Sequence, residues 1–316
     1  MDRFVADHLR GVSRTYALLI PMLPAALAEA IGLAYLQMRV IDTVEDAPEL
    51  SDDGRRRALL ALREMLTGGS HDRLADLPSP LGENTAERAL AAEARELFRR
   101  IVCLPATQRD VVHACGVKMI DGVLLLLDRS AARNAEYPAV QSAAELREYC
   151  YYVAGVVGEM LCALMADFLR QPALLRLRDL AVELGLGLQM VNIVKDAMKD
   201  ARQGRRYLPL DASRGVATRE IYRAVLAEAR ISLKKGTEFV LALPAAAREL
   251  RSFCGLPIAW GAMTLARAER DTTRTKIGRG AIRSSIALFD RLVGDDAALR
   301  HWLLRMLGPE RGATPA

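Results

Sequence analysis

The sequence predicts an all-α fold, and three observations carry that expectation. Almost every long segment repeats its apolar residues at helical intervals. Alternating β-branched runs joined by Asn-Gly or Asp-Gly turns do not occur. Helix-ending residues also fall where the apolar periodicity stops.

Taken in order, the first long helix is expected over 24–47. Pro24 suits a first turn, because its missing N–H is one that a helix start leaves unbonded, and Pro48 halts the helix. Helical spacing then predicts 52–66, 83–102, 106–129, 142–169, 176–203, 219–242, 245–268 and 278–292. Gly204 stands at a C-cap position after the helix expected over 176–203. The longest breaks, 67–70 and 77–82, come too early to end a domain. One domain over 1–316 is therefore expected, with a polar, disordered tail at 308–316.

Composition narrows the function. Net charge is +5, but the positive charge is scattered, and the one arginine triplet (Arg55, Arg56, Arg57) reads as a solvated helix face. Without aromatic residues interleaved in a basic stripe, nucleic acid is not an expected partner. The five cysteines form no Cys-x-x-Cys pair and each lies in an apolar stretch, which suits small buried thiols in a reducing compartment. The four histidines lack the His-Glu-x-x-His arrangement of a zinc helix. The best membrane-span candidate, 151–169, carries Glu159 and Asp167 and so reads as a buried soluble helix. With no signal-peptide pattern at the N-terminus, a cytoplasmic location is expected.

Two acid clusters are the chemical feature. Asp42, Glu45 and Asp46 are spaced i, i+3, i+4, and Asn192, Asp196 and Asp200 are spaced i, i+4, i+8, so each set leaves one helix face. Taken singly, such runs are usually solvated faces. Here both follow stretches that are apolar almost all round, 30–41 and 184–191, the mark of a buried helix. Both also sit near helix C-termini, where the macrodipole opposes negative charge. A bound cation offsets that conflict. Two such faces opposed across a cavity would make an oxygen-rich cage suited to Mg²⁺, which takes a few carboxylates and completes its shell from water and substrate phosphates. Basic residues accompany the acids: Ser13-Arg14, Arg39, Lys195, and Arg205-Arg206 beside Tyr207. Each alone fits a surface ion pair or cap contact. Together they suit a diphosphate gripped by metal on one side and guanidinium forks on the other. Gly155 and Gly158 fit either close helix packing or room for a bulky apolar ligand, on which Tyr149 and Tyr152, an i, i+3 pair, would place aromatic rings.

The stretches Val12–Ala17, Arg39–Asp46, Tyr149–Gly155 and Gln189–Asp196, in that order, resemble the squalene/phytoene synthase family, in motif form nearer its squalene synthases than its phytoene synthases. The resemblance implies an isoprenoid-synthase helical bundle with a central active-site cavity. It places Asp42, Glu45, Asp46, Asn192, Asp196 and Asp200 at Mg²⁺-binding positions. It places Ser13, Arg14, Tyr35, Arg39, Gln189, Lys195, Arg205 and Tyr207 where relatives hold diphosphate or order the site. Tyr149 falls at a tyrosine tied to proton removal during ring closure, and Lys276 at a lysine that contacts NADPH. The implied reaction is head-to-head coupling of two farnesyl diphosphates through presqualene diphosphate to squalene. A monomer is the default expectation, and so apolar a product favours delivery to a membrane surface.

One departure bears on the reaction. The family's second acid motif commonly reads Asp-x-x-Glu-Asp, and Lys199 replaces the glutamate here. Coupling without reduction, giving presqualene diphosphate or a phytoene-type carotenoid, stays open, as does prenylation of an aromatic acceptor. A non-catalytic helical scaffold is disfavoured by the intact carboxylates in both clusters.

Overall fold

A computed structural model describes residues 1–68, 81–82, 84–135, 137–202, 207–209 and 218–308. Among them there is no strand, as the apolar spacing predicts. The chain forms two compact units, 1–128 with 163–172, and 129–162 with 173–316.

The first unit is built around α3 (Ala25–Asp46). Helices α1 (Arg3–Val12), α4 (Asp52–Leu66), α5 (Thr85–Ala92) and α6 (Ala94–Val102) all pack on it. Between Ala30 and Ala47 every α3 residue is buried except Tyr35, Arg39, Asp42 and Asp46. Burial on nearly all sides explains why this stretch is apolar all round rather than amphipathic. Helix α7 (Ala106–Ala132) meets α3 at Gly116, where a Cβ would lie 2.5 Å from Gln37 Nε2. Arg63 pairs with Asp121 and Arg56 with Asp128, which fixes α4 along α7.

The second unit centres on α10 (Arg178–Arg202), α11 (Arg219–Ala242) and α12 (Arg248–Arg270). Around them lie α8 (Ala143–Cys150), α9 (Val156–Phe168, whose last residues belong to the first unit), α13 (Arg279–Leu292) and α14 (Asp296–Leu307). A five-residue π turn, Tyr151–Gly155, joins α8 to α9. Helix α12 is buried along most of its length, from Leu250 to Leu265.

Several expected elements change on folding. The helix expected over 83–102 is two helices, broken at Glu93, whose φ of −100° and ψ of 14° leave the α region. The π turn interrupts the one expected over 142–169. The structure adds short helices α1, α2 (Tyr16–Leu19) and α14; α1 buries only Val5 and Leu9, too little apolar pattern to stand out. Side-chain caps set many of the starts: Ser51 accepts from Gly54 N, Ser142 from Glu145 N, Thr218 from Ile221 N and Asp295 from Ala298 N. Four cysteines are buried as expected, but Cys103 is exposed, because it caps the C-terminus of α6 where the chain turns to the surface. Gly204 and the tail 309–316 lie outside the described residues. The 143–168 stretch is long and apolar enough to cross a membrane by length and composition.

Candidate active site

Each unit carries one acid-bearing helix end. On α3 the four residues left half-buried, Tyr35, Arg39, Asp42 and Asp46, are spaced i, i+4, i+7, i+11 and form a single stripe. The stripe is electrostatically crowded. Arg39 Nη2 donates to Glu87 Oε1 at 2.7 Å, and Nη1 lies 3.4 Å from Asp42 Oδ2. Burial pushes Asp42 up to about 6; Arg39 pulls it back, while Asp46 and Glu87 push it further up. Burial works against the charge on Arg39, but Asp42, Tyr35, Glu87 and Asp46 outweigh it and raise its pKa. The Tyr35 phenol is also raised, first by burial, with Ser13 and Arg39 opposing and Asp42 adding. Ser13 hydrogen-bonds that phenol and accepts from Tyr16 N at 3.0 Å, and the Tyr16 and Tyr35 rings lie 5.1 Å apart. Glu45 does not share the stripe. Its side chain is 4% exposed, on the packed side of α3, because i+3 from Asp42 and i+4 diverge enough around the helix to separate them here. Arg14 is exposed in the link after α1.

Toward the C-terminal end of α10 the less buried face runs through Gln189, Asn192 and Asp196, with neighbours buried on the other side. Lys195 Nζ lies 3.2 Å from Asn192 Oδ1 and 3.1 Å from Asp196 Oδ2. These two oxygens therefore converge on one cation, here an ammonium. Asp200 is half-buried one turn on, and Lys199 is exposed. Thr275 Oγ1 donates to the Lys195 carbonyl at 3.3 Å, which ties the loop before α13, and with it exposed Lys276, to the acid end of α10.

Tyr149 and Tyr152 make separate contacts at the start of the π turn, which closes a hydrogen bond from Val156 N to Tyr151 O, five residues back. Tyr149, 4% exposed, stacks at 5.1 Å with Tyr207, while Tyr152 meets Tyr151 edge-on at 5.3 Å. Gly155 and Gly158 both serve close packing. A Cβ on Gly158 would lie 2.1 Å from the Ala181 carbonyl oxygen, and one on Gly185 would lie 2.3 Å from that of Ala154. Arg205 lies outside the described residues.

The carboxylates fit a hard divalent cation by chemistry: oxygen donors in excess of the guanidinium beside them on α3, and converging oxygens on α10. No group of three or more His, Cys, Asp or Glu side chains is arranged to hold a metal among the described residues. Glu87 is the residue that sequence reasoning missed. It stands three residues after the cap Asn84, where a glutamate normally reads as part of a capping box. A cleft of about 610 Å³ on the first unit, lined by Phe4, His8, Gly11, Glu93 and Arg100 among others, contains none of the predicted site residues.

Residues 9–284 match the squalene/phytoene synthase family. A squalene synthase of Schizosaccharomyces pombe is 31% identical over 198 residues, 62% of this chain and 42% of that one, so the match spans about two fifths of the relative's length. The solved structure of TcSQS with the ligand BPH1237 superposes with a TM-score of 0.79 over 99% of this chain and 93% of that one, at 24% identity. A dehydrosqualene synthase in complex with ligand gives 0.56 over 92% and 95%, at 19% identity. These two likenesses show a shared helical fold. With the family match covering most of its length and the motif residues on α3, the π segment and α10, this chain is a member of the squalene/phytoene synthase family.

Proposed function

We propose that this protein is a Mg²⁺-dependent prenyltransferase that couples two farnesyl diphosphates head to head, through presqualene diphosphate, to squalene, with NADPH as reductant. The observation that carries the reading is the half-buried stripe of Tyr35, Arg39, Asp42 and Asp46 on an otherwise buried helix. A helix of that kind has no packing use for four polar residues in register, and a diphosphate ligand gives them one. When bound, Mg²⁺ supplies Lewis-acid stabilisation of the departing diphosphate.

The chain's own residues do the rest. Asp42 and Asp46 on α3, and Asn192, Asp196 and Asp200 on α10, are the metal-facing groups of this reading. Arg39 and Lys195 offer N–H donors to phosphate oxygens, where preorganised charge stabilises leaving-group anions. Arg14, Gln189 and Arg205 are assigned to the same diphosphate-binding set. Ser13, against Tyr35, orders the start of the stripe. Tyr149 is assigned the role of taking or holding a proton away from bulk water, as a carbocation reaction demands; its burial and its stacking on Tyr207 support that role. The tie from Thr275 to Lys195 supports a role for Lys276 toward NADPH beside α10. The protein acts as a cytoplasmic monomer on prenyl diphosphates, has no nucleic-acid partner, and meets a membrane surface to release its apolar product.

The test is incubation with farnesyl diphosphate and Mg²⁺, with and without NADPH, followed by product identification. Squalene formed only with NADPH is the expected result. Presqualene diphosphate alone, or a phytoene-type hydrocarbon, with NADPH present overturns the reductive half. Absence of diphosphate release overturns the whole reading.

A further inference from the structure

The tightest partner of Arg39 is not an acid of its own helix. Glu87 Oε1 accepts from Nη2 at 2.7 Å, whereas Asp42 Oδ2 is 3.4 Å from Nη1. Arg39 Nε is buried and has no hydrogen-bond partner among the described residues. A buried, unsatisfied guanidinium N–H is costly, so a free Arg39 would turn to use it. Asp42 on the same helix already lies 3.4 Å from Nη1 and offers an acceptor for such a turn, and Asp46 stands one helical turn beyond it.

What prevents the turn is the way α5 is mounted. Asn84 Oδ1 accepts from the amides of Ala86 and Glu87 at 3.0 and 3.1 Å, so the first turn is capped without the Glu87 side chain, which projects to Arg39 instead. Just before it, Gly82 N donates to Glu49 Oε1 at 3.0 Å, and Gly82 O accepts from Arg88 Nε at 3.0 Å. Gly82 has a φ of +120°, and a Cβ there would lie 3.2 Å from Thr43 Cγ2 and 2.8 Å from Glu87 Cβ. Only glycine lets this segment come so close to α3 beside Glu87. The approach of Glu87 to Arg39 is therefore built into the backbone and is not the accident of a flexible side chain.

We propose that Glu87 is a positioning residue that draws one arm of the Arg39 guanidinium to itself, leaves Asp42 a single long contact with the other arm, and so keeps Asp42 and Asp46 available to a divalent cation. Without Glu87, the guanidinium closes on Asp42 as a two-pronged pair, and a cation must displace it. The inference rests on the reading that the α3 acids bind Mg²⁺.

The experiment titrates MgCl₂ alone against the full chain, reading thermal stabilisation and heat of binding. It compares the wild type, Glu87→Gln, Glu87→Ala, and Glu87→Gln combined with Arg39→Gln. Both single variants are expected to raise the Mg²⁺ midpoint by roughly tenfold, the scale of one charge-assisted pair. The double variant, with no guanidinium left to close, is expected to return toward the wild-type midpoint. A merely structural role would lower the metal-free melting temperature and leave the midpoint alone. An unchanged midpoint in both single variants overturns the proposal, as does a raised midpoint that Arg39→Gln fails to lower. Failure of both single variants to fold overturns it too, by making Glu87 structural. If the wild type itself shows no response to Mg²⁺, the underlying reading of α3 falls and this inference falls with it.

Discussion

The Arg251 side chain, 1% exposed, donates from Nε to the Leu243 carbonyl at 2.9 Å. Its other nitrogens reach Leu241 O at 3.0 Å, Val293 O at 3.1 Å and Asp296 Oδ1 at 2.6 Å. One guanidinium thus satisfies carbonyls left open at the ends of α11 and α13 and pairs with the first turn of α14. Arg251→Met is expected to cost about 3–5 kcal/mol, because several buried acceptors lose their donor together. Arg251→Lys should recover little, since an ammonium cannot serve that planar fork. Urea unfolding of the second unit's signal checks both, and a loss below about 1 kcal/mol would refute the clamp.

Backbone contact at Gly158 predicts a contrast between two glycines. Gly158→Ala forces a methyl against the Ala181 carbonyl and is expected to destabilise by about 1–3 kcal/mol. Gly280, in the first turn of α13, has nothing within 4 Å of where a Cβ would sit. There Gly280→Ala should be neutral or stabilise by up to about 1 kcal/mol. Melting temperatures that move in the same direction in both variants would contradict the packing described.

Asp42 and Glu145 should depend on pH with opposite signs. The folded pKa of Asp42 is raised to about 6 by burial, above an ordinary 3.8. Its contribution to stability is therefore fully present below about 3.8 and lost as pH rises through about 6. Asp42→Asn should make the metal-free protein more stable above pH 6, by about 1–2 kcal/mol, while weakening any response to Mg²⁺. Glu145 is held down to about 2 by its hydrogen-bonded pairing with Arg133. Its contribution is present above the ordinary 4.5 and lost as pH falls through about 2. Unfolding curves of Asp42→Asn and Glu145→Gln from about pH 3 to 8 separate the two, and parallel pH profiles for both variants would be the contrary result.

Lys195 bridges Asn192 and Asp196 where the proposed reading puts a metal ion. Lys195→Gln removes that competing cation and one donor to diphosphate at once. The expected outcome is a lower Mg²⁺ requirement together with a higher KM for farnesyl diphosphate. Steady-state kinetics across a Mg²⁺ series reads both parameters, and a KM unchanged at saturating Mg²⁺ would remove Lys195 from substrate binding.

Much of this is legible before folding. The helices over 52–66 and 219–242 begin and end where their apolar periodicity says they do. The stripe of Arg39, Asp42 and Asp46 follows from helical spacing alone. Glu45 does not follow, because residues three and four apart share a face only loosely, and packing decides which side of that face is covered. The π turn at 151–155 is equally hidden, since its one added residue leaves no mark in hydropathy.

What the sequence determined by itself is most of the long helices, the two acid-bearing helix ends and the family they belong to, because periodicity and short motifs are local properties of the chain. Only the tertiary structure decided that Glu87 reaches Arg39 across 48 residues, that Gly158 admits a neighbouring backbone, and that Lys195 turns to both Asn192 and Asp196. Those are contacts between segments or between side chains whose rotamers packing selects. Their energies depend on distance and burial, which the order of residues along one helix does not encode.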